Sequence, residues 1–238
     1  MSRSVLVLTH APWETCALIE PALVGLPLVH RTVLDERRPA LPRPAEIAGL
    51  VVMGGPQDAN DDDHHPGLAA ERALLADCVS AEVPVLGVCL GMQLLAVSLG
   101  ARLHLQHGRE IGFAPVRLTE RGAADPVLSA FRAAPAVLHW HSDAVELPAG
   151  AELLASTAVT PVQAFRLGSA LGTQFHPEAD GALLATWLAT AAMTNSLAPD
   201  EIEQIRRDGD ALLPALREVA LAGFAAFRQA CAAATPCD

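Results

Sequence analysis

Cys89 stands in Gly87-Val88-Cys89-Leu90-Gly91, between the apolar run Val83-Pro84-Val85-Leu86 and the helix-forming run Met92-Gln93-Leu94-Leu95-Ala96. A cysteine at such a junction occupies a strand-to-helix turn, which pushes a reactive side chain out of a sheet into a cleft. The turn needs small neighbours, here glycine two residues before and two after. The helix N-terminus adds partial positive charge and free N–H groups, which favour a thiolate over a thiol and can hold a developing oxyanion. Far downstream, His176-Pro177-Glu178 offers a base and a carboxylate. Residues two apart in extended backbone point the same way, so Glu178 reaches the ring of His176 unless Pro177 bends the segment. A nucleophile, a base that returns a proton to the leaving group and a group that fixes the base are the types needed to cleave an amide covalently. Taken singly, each has a plainer reading: His176 as a buried, hydrogen-bonded histidine, and Cys89 as a small hydrophobe, the reading given to Cys16, Cys78 and Cys231.

The elements that must position these residues alternate. Residues 4–9 read as a buried strand, 13–24 as a helix entered through Ala11-Pro12, and 26–33 as a second strand, so the class is α/β with a parallel sheet. Residues 34–46, with Pro39, Pro42 and Pro44, form an exposed connection. A hydrophobic strand over 47–53 runs into Gly54-Gly55-Pro56, which alone is an ordinary strand-ending turn. Residues 58–66 make an acidic loop whose aspartates, with His64 and His65, are either metal ligands or solvated; the solvated loop is the plainer reading. An amphipathic helix is predicted over 67–81, and Gly100 stops the helix after Cys89. Residues 101–119 alternate as a half-exposed antiparallel ribbon, followed by strands at 136–140, 151–156 and 161–166 and a helix over 182–194.

The last segment changes character. Residues 200–207 are a short helix broken at Gly209, and Leu212, Leu216, Val219, Ala220, Phe224 and Phe227 form an apolar stripe on a second helix. That stripe packs on its own body or, in a homo-oligomer, against a second copy. The Ala-rich end through Cys237 is read as frayed.

Composition limits the partners. In 238 residues the formal charge is −11 and no Lys/Arg cluster occurs, which argues against a nucleic-acid or anionic-membrane surface. Five scattered cysteines without a Cys-x-x-Cys pair indicate neither a disulfide framework nor a zinc site. The first apolar run is too short for a signal sequence or a membrane span, so the expected setting is a reducing cytoplasm.

Gly54-Gly55-Pro56, then Gly87-Val88-Cys89-Leu90-Gly91-Met92-Gln93, then Gly172-Thr173-Gln174-Phe175-His176-Pro177-Glu178, in this order, resemble the class I (triad-type) glutamine amidotransferase domain. Glu110-Ile111-Gly112-Phe113 and His139-Trp140-His141-Ser142-Asp143 resemble pieces found in stand-alone members. The resemblance covers about residues 1–196 and leaves 197–238 as a C-terminal helical extension. It implies a flavodoxin-like three-layer sandwich, a mostly parallel central sheet flanked by helices. It further implies Cys89, His176 and Glu178 as catalytic residues, the N–H groups of Gly55 and Leu90 as oxyanion hole, and Gln93 as a substrate contact. Asp143 is either a contact for a substrate α-amino group or the head of an Asx-type turn.

The implied reaction releases ammonia from glutamine through a γ-glutamyl thioester, with no metal or organic cofactor. Such domains usually hand ammonia to a synthetase, and no Gly-x-x-x-x-Gly-Lys-Ser/Thr phosphate loop is present, so either a separate synthetase subunit supplies the acceptor chemistry or the chain acts alone as a hydrolase on γ-glutamyl compounds. Hydrolysis or transfer of γ-glutamyl peptides, a cysteine peptidase, and a non-catalytic regulator that keeps the fold remain alternatives.

Overall fold

The computed structural model describes residues 3–134 and 136–234. Eight strands form the main sheet: β1 (Ser4–Leu8), β2 (Leu28–Arg31), β3 (Ile47–Val52), β4 (Val85–Val88), β7 (Arg117–Leu118), β10 (Glu152–Ser156), β11 (Ala164–Leu167) and β12 (Ala170–Thr173). Their order is β2-β1-β3-β4-β12-β11-β10-β7. The pairs from β2 through β12 are parallel, and those from β12 to β7 antiparallel. The fold is the expected α/β sandwich with a mostly parallel sheet, carrying an antiparallel extension on one edge.

Period-two alternation divides the core into two faces. Val5, Val7, Val51 and Leu86 point to one side, beneath α1 (Ile19–Ala22), Leu128 and Phe131, and the C-terminal helix. Leu6, Leu8, Leu50 and Val85 point to the other, beneath α2 (Gly67–Ser80) and α3 (Leu90–Ser98). Strands buried on both faces explain the near-continuous apolar runs.

Several expectations are corrected. The helix predicted over 13–24 is reduced to α1, because the chain from Pro12 onward loops over the end of β1 and turns at Ala17, where φ is 34°. The ribbon predicted over 101–119 is three separate pieces. β5 (Leu103–His104) pairs with β9 (Ala144–Val145), β6 (Glu110–Ala114) pairs with β8 (Val137–His141), and β7 joins the main sheet. A short helix, α4 (Glu120–Ala124), capped by Thr119, had no expectation attached. The helix over 182–194 is divided into α5 (Gly181–Ala189) and α6 (Ala191–Thr194).

The largest correction lies at the C-terminus. One helix, α7 (Pro199–Ala233), runs through both Gly209 and Pro214. Packing overrides local propensity: Gly209 lies against Leu184 of α5, where a side chain would collide. Leu213 and Leu216 share a core with Trp187 and Leu184. Ala220, Phe224 and Phe227 share one with the sheet. The apolar stripe therefore packs on its own body, the first of the two covers considered. The frayed end expected through Cys237 lies, from residue 235 onward, outside the described residues. Among the described residues, no helix is long and apolar enough to cross a membrane.

Candidate active site

In a parallel sheet the loops at the carboxyl ends of the strands gather at one edge, where ligands bind. Here that edge collects His10 and Glu14 beyond β1, Gly54 and Gly55 beyond β3, Cys89 beyond β4, and Gln174, His176 and Glu178 beyond β12. Cys89 forms the turn itself, with φ 52° and ψ −106°. A non-glycine residue in that region costs about 1–3 kcal/mol, and the surroundings hold it. Its N–H donates to the Thr173 carbonyl (2.8 Å), and its carbonyl accepts from Gln93 N–H (3.1 Å). The flanking glycines are required by contact: a Cβ on Gly87 would lie 2.6 Å from the Gly91 carbonyl, and one on Gly91 would strike the Val52 carbonyl.

The Cys89 thiol points to the Trp140 carbonyl (3.9 Å), and Gln174 Nε2 donates to the sulfur (3.5 Å). His176 and Glu178 meet across Pro177 as the two-residue spacing requires, with Nδ1 to Oε1 at 2.8 Å and both side chains buried. Pro177 does not spoil the alignment. The ring is fixed further by its backbone N–H on the Leu138 carbonyl (2.8 Å) and by the edge of Trp187, 4.7 Å between ring centres at 83°. Nε2 is buried without a hydrogen bond of good geometry, yet the sulfur still acts on the ring. Burial opposes an imidazolium here, but attraction to Glu178 and then to Cys89 outweighs it, so the His176 pKa rises well above its ordinary value.

The other described cysteines lie away from the cavity that Cys89 lines. Burial pushes the thiols of Cys16, Cys78 and Cys231 up to about 12, which keeps them protonated and inert. Leu90 opens α3, so its N–H belongs to the first turn and lacks an intrahelical acceptor. Gly55 and Cys89 line one cavity of about 470 Å³, with Gln93, Asp143, Trp140 and Glu14. Gln93 is engaged, its Nε2 donating to Gln174 Oε1 (3.2 Å). Asp143 Oδ1 accepts from the backbone N–H of Gln106 (2.9 Å), a tether between distant loops in place of the local Asx turn.

Sequence reasoning missed Glu14, His10, Glu71, Gln174 and Trp187. Glu14 is only 4% exposed, and its Oε2 has no hydrogen-bond partner. Burial chiefly, eased by His176 and His10 and reinforced by Glu178, pushes its carboxyl up to about 7. It also borders a second cavity of about 360 Å³ with His10, Thr15 and His30. The available signal was position: polar residues immediately beyond a parallel strand face the ligand edge.

Among the described residues, two groups bring three metal-type ligand atoms within 4.8 Å of one another, Cys16 with Glu20 and His30, and Glu110 with His139 and His141. In the second, Gln163 Nε2 donates to Glu110 Oε2 (2.8 Å), and burial lowers the pKa of both histidines, His141 to about 4. In the acidic loop, Asp61 pairs with exposed His64 (2.7 Å). A larger cavity of about 740 Å³ lies between α5 and α7, away from the sulfur.

The class-I glutamine amidotransferase family model matches residues 29–189. A glutamine amidotransferase-like protein of Salmonella typhimurium, YfeJ, is 36% identical over 141 residues, 58% of this chain and 59% of that protein. The glutamine-hydrolysing GMP synthase of Thermomicrobium roseum is 38% identical over 55% of this chain and 23% of its own length. A relative from Natronomonas pharaonis, one of the subunits of its glutamine-hydrolysing GMP synthase, is 32% identical over 63% of this chain and 75% of its own length. The chain thus spans less than two thirds of the first two relatives. Solved glutamine amidotransferases from Thermotoga maritima (TM-score 0.82, 24% identity, 95% of this chain and 98% of that one) and Methylobacillus flagellatus (TM-score 0.81, 24% identity, 97% and 96%) share the fold. The chain belongs to the class-I glutamine amidotransferase family.

Proposed function

We propose that the chain hydrolyses the side-chain amide of glutamine through a covalent intermediate on Cys89. The observation that carries this reading is the Cys89 sulfur in the wall of one cavity, with the buried His176 ring interacting with it from behind and the Glu178 carboxylate on the ring's Nδ1. The sulfur adds to the carboxamide carbon, and the N–H groups of Gly55 and Leu90 receive the oxyanion. The His176 imidazolium gives its proton to the amide nitrogen, the C–N bond breaks, and ammonia leaves behind a γ-glutamyl thioester. The neutral ring then takes a proton from water as the hydroxide oxygen adds to the thioester, and collapse frees glutamate and the sulfur. Glu178 holds the ring and balances its charge throughout. Gln93 and Asp143 are the side chains proposed to contact the bound amino acid, and no step requires a metal or organic cofactor.

The cavity falls within the ~300–1,000 Å³ of ordinary small-molecule sites. Other γ-glutamyl amides form the same thioester, so the leaving group is a matter for assay. Likeness to glutamine-hydrolysing GMP synthases, of which the chain matches 23% of one and 75% of a subunit of another, supports a separate synthetase as ammonia acceptor, and the same reading sets the chain in the cytoplasm. The test is ammonia release from glutamine and from γ-glutamyl dipeptides by the purified chain. Cys89→Ala should abolish release while leaving the circular-dichroism spectrum unchanged; turnover by that variant would remove the assignment.

A further inference from the structure

On the far side of Gly54 from the triad lies a second buried imidazole with no role in the reaction described so far. His10 follows β1, and its side chain is fully enclosed, as is that of Glu71 on α2. His10 Nε2 meets Glu71 Oε2 at 2.9 Å, and Nδ1 meets the Gly54 carbonyl at 3.1 Å. Both ring nitrogens therefore face oxygen atoms, and with Glu71 ionised both bonds exist together only if both nitrogens carry protons. Burial works against that charge, while the hydrogen bond to Glu71 and its carboxylate, the Gly54 carbonyl and Glu14 favour it; the balance raises the His10 pKa.

The carbonyl that His10 grips belongs to the peptide linking Gly54 and Gly55, whose N–H is that of Gly55. A trans peptide is planar, with C=O and N–H pointing in opposite directions, so fixing one fixes the other. Strand order supplies the direction. β1 and β4 flank β3, with His10 beyond the end of β1 and Cys89 beyond the end of β4. A carbonyl drawn toward the β1 side sends the N–H toward the cavity that Gly55 and Cys89 share. Among the described residues, no backbone carbonyl accepts from that N–H.

We infer that His10 and Glu71 form a positioning clamp that holds the Gly54–Gly55 peptide with its N–H toward the sulfur, so that the oxyanion hole is formed in the isolated chain. The inference rests on the oxyanion role given to Gly55 under the proposed function. It adds that no partner protein is needed to turn that peptide. The space is specific for glycine at both positions. A Cβ on Gly54 would lie 2.7 Å from Glu14 Oε2 and 3.4 Å from His176 Cε1, and one on Gly55 would lie 2.6 Å from His10 Cβ.

The test compares two reactions of Cys89 in the full chain. Acylation by glutamine, or by p-nitrophenyl acetate as a generic acyl donor, develops an oxyanion; alkylation by iodoacetamide does not. His10→Ala should lower kcat for glutamine and the rate of the ester burst by ~10²-fold, the usual loss for one oxyanion donor, with KM nearly unchanged and the alkylation rate of Cys89 retained. Glu71→Gln, which keeps an acceptor for the ring but removes the charge, should fall between this variant and the parent. Equal losses in acylation and alkylation, or no loss in either, would overturn the clamp. If the parent chain ignores glutamine but shows a Cys89-dependent ester burst, the glutamine reading fails while the clamp is still measured by the burst. If His10→Ala does not fold, the ¹⁵N spectrum of His10 in the parent chain decides: both ring nitrogens protonated at pH 7 is expected, and an unprotonated one refutes the inference.

Discussion

Two buried imidazole–carboxylate pairs stand at the same edge of the sheet, one on each side of Gly54. In His176–Glu178 the carboxylate takes Nδ1 at 2.8 Å, and the far side of the ring is left to the Cys89 sulfur. In His10–Glu71 the carboxylate takes Nε2 at 2.9 Å, and Nδ1 is spent on a backbone carbonyl. Charge and burial are nearly alike, so they do not decide the role. In the proposed reaction what the second nitrogen faces decides it: a polarisable sulfur, with which a proton can be exchanged, or a carbonyl that accepts a hydrogen bond and no more. A buried, charge-raised histidine is therefore a candidate catalytic base only when one of its nitrogens is uncommitted.

The comparison breaks most sharply at His176. His176→Ala should reduce glutamine turnover by ~10³–10⁴-fold, because the proposed reaction takes from this ring both the proton given to ammonia and the acceptor for the proton of water. It should also slow alkylation of Cys89, which loses its cationic neighbour, whereas the same truncation at His10 should spare alkylation. Parallel iodoacetamide and ammonia-release assays on the two variants read this directly, and identical alkylation rates in both would dissolve the distinction.

Glu178→Gln is the next largest effect, ~10²-fold in kcat. The amide still reaches Nδ1 but no longer supplies the attraction that, against burial, raises the His176 pKa. The sign follows: the imidazolium in the variant deprotonates at lower pH, so the limb of the pH–rate profile that reports it moves toward acid. A lowered rate with an unmoved limb would make Glu178 a spacer only.

Much of this arrangement was legible before the fold was known, for identifiable reasons. Cys89 is marked by local necessity, since a strand-to-helix turn with φ 52° tolerates only small neighbours and glycines flank it. Glu178 is marked by period-two spacing from His176, and the parallel sheet by strands too apolar to be exposed on either face. The clamp was not legible, because His10 and Glu71 are separated by 61 residues and each looks ordinary in its own segment. Nor was the continuity of α7. Gly209 reads as a breaker, and only its contact with Leu184 on a different helix explains why a glycine sits inside an unbroken helix. Local signals carried what is enforced locally, and failed wherever a distant element sets the conformation.

Glu14 gives the smallest effect on rate and the finest test of how the two pairs are coupled, because it lies between them and feels both. Its folded pKa is raised from 4.5 to about 7, chiefly by burial. A raised carboxyl contributes stability that is fully present below pH 4.5, while it is protonated in both states, and that is lost as pH rises through 7. Above that point the fold must hold an unpartnered carboxylate, at a cost on the order of 3 kcal/mol. Glu14→Gln should therefore raise the melting temperature at pH 8 and leave it nearly unchanged at pH 4. Turnover should change only several-fold while an inflection near pH 7 disappears from the profile. Equal stabilisation at both pH values would mean that the carboxyl is not titrating inside the fold. The predicted pattern would instead identify a group kept at this edge against the interest of stability, as expected where a proton is needed beside the His176 ring.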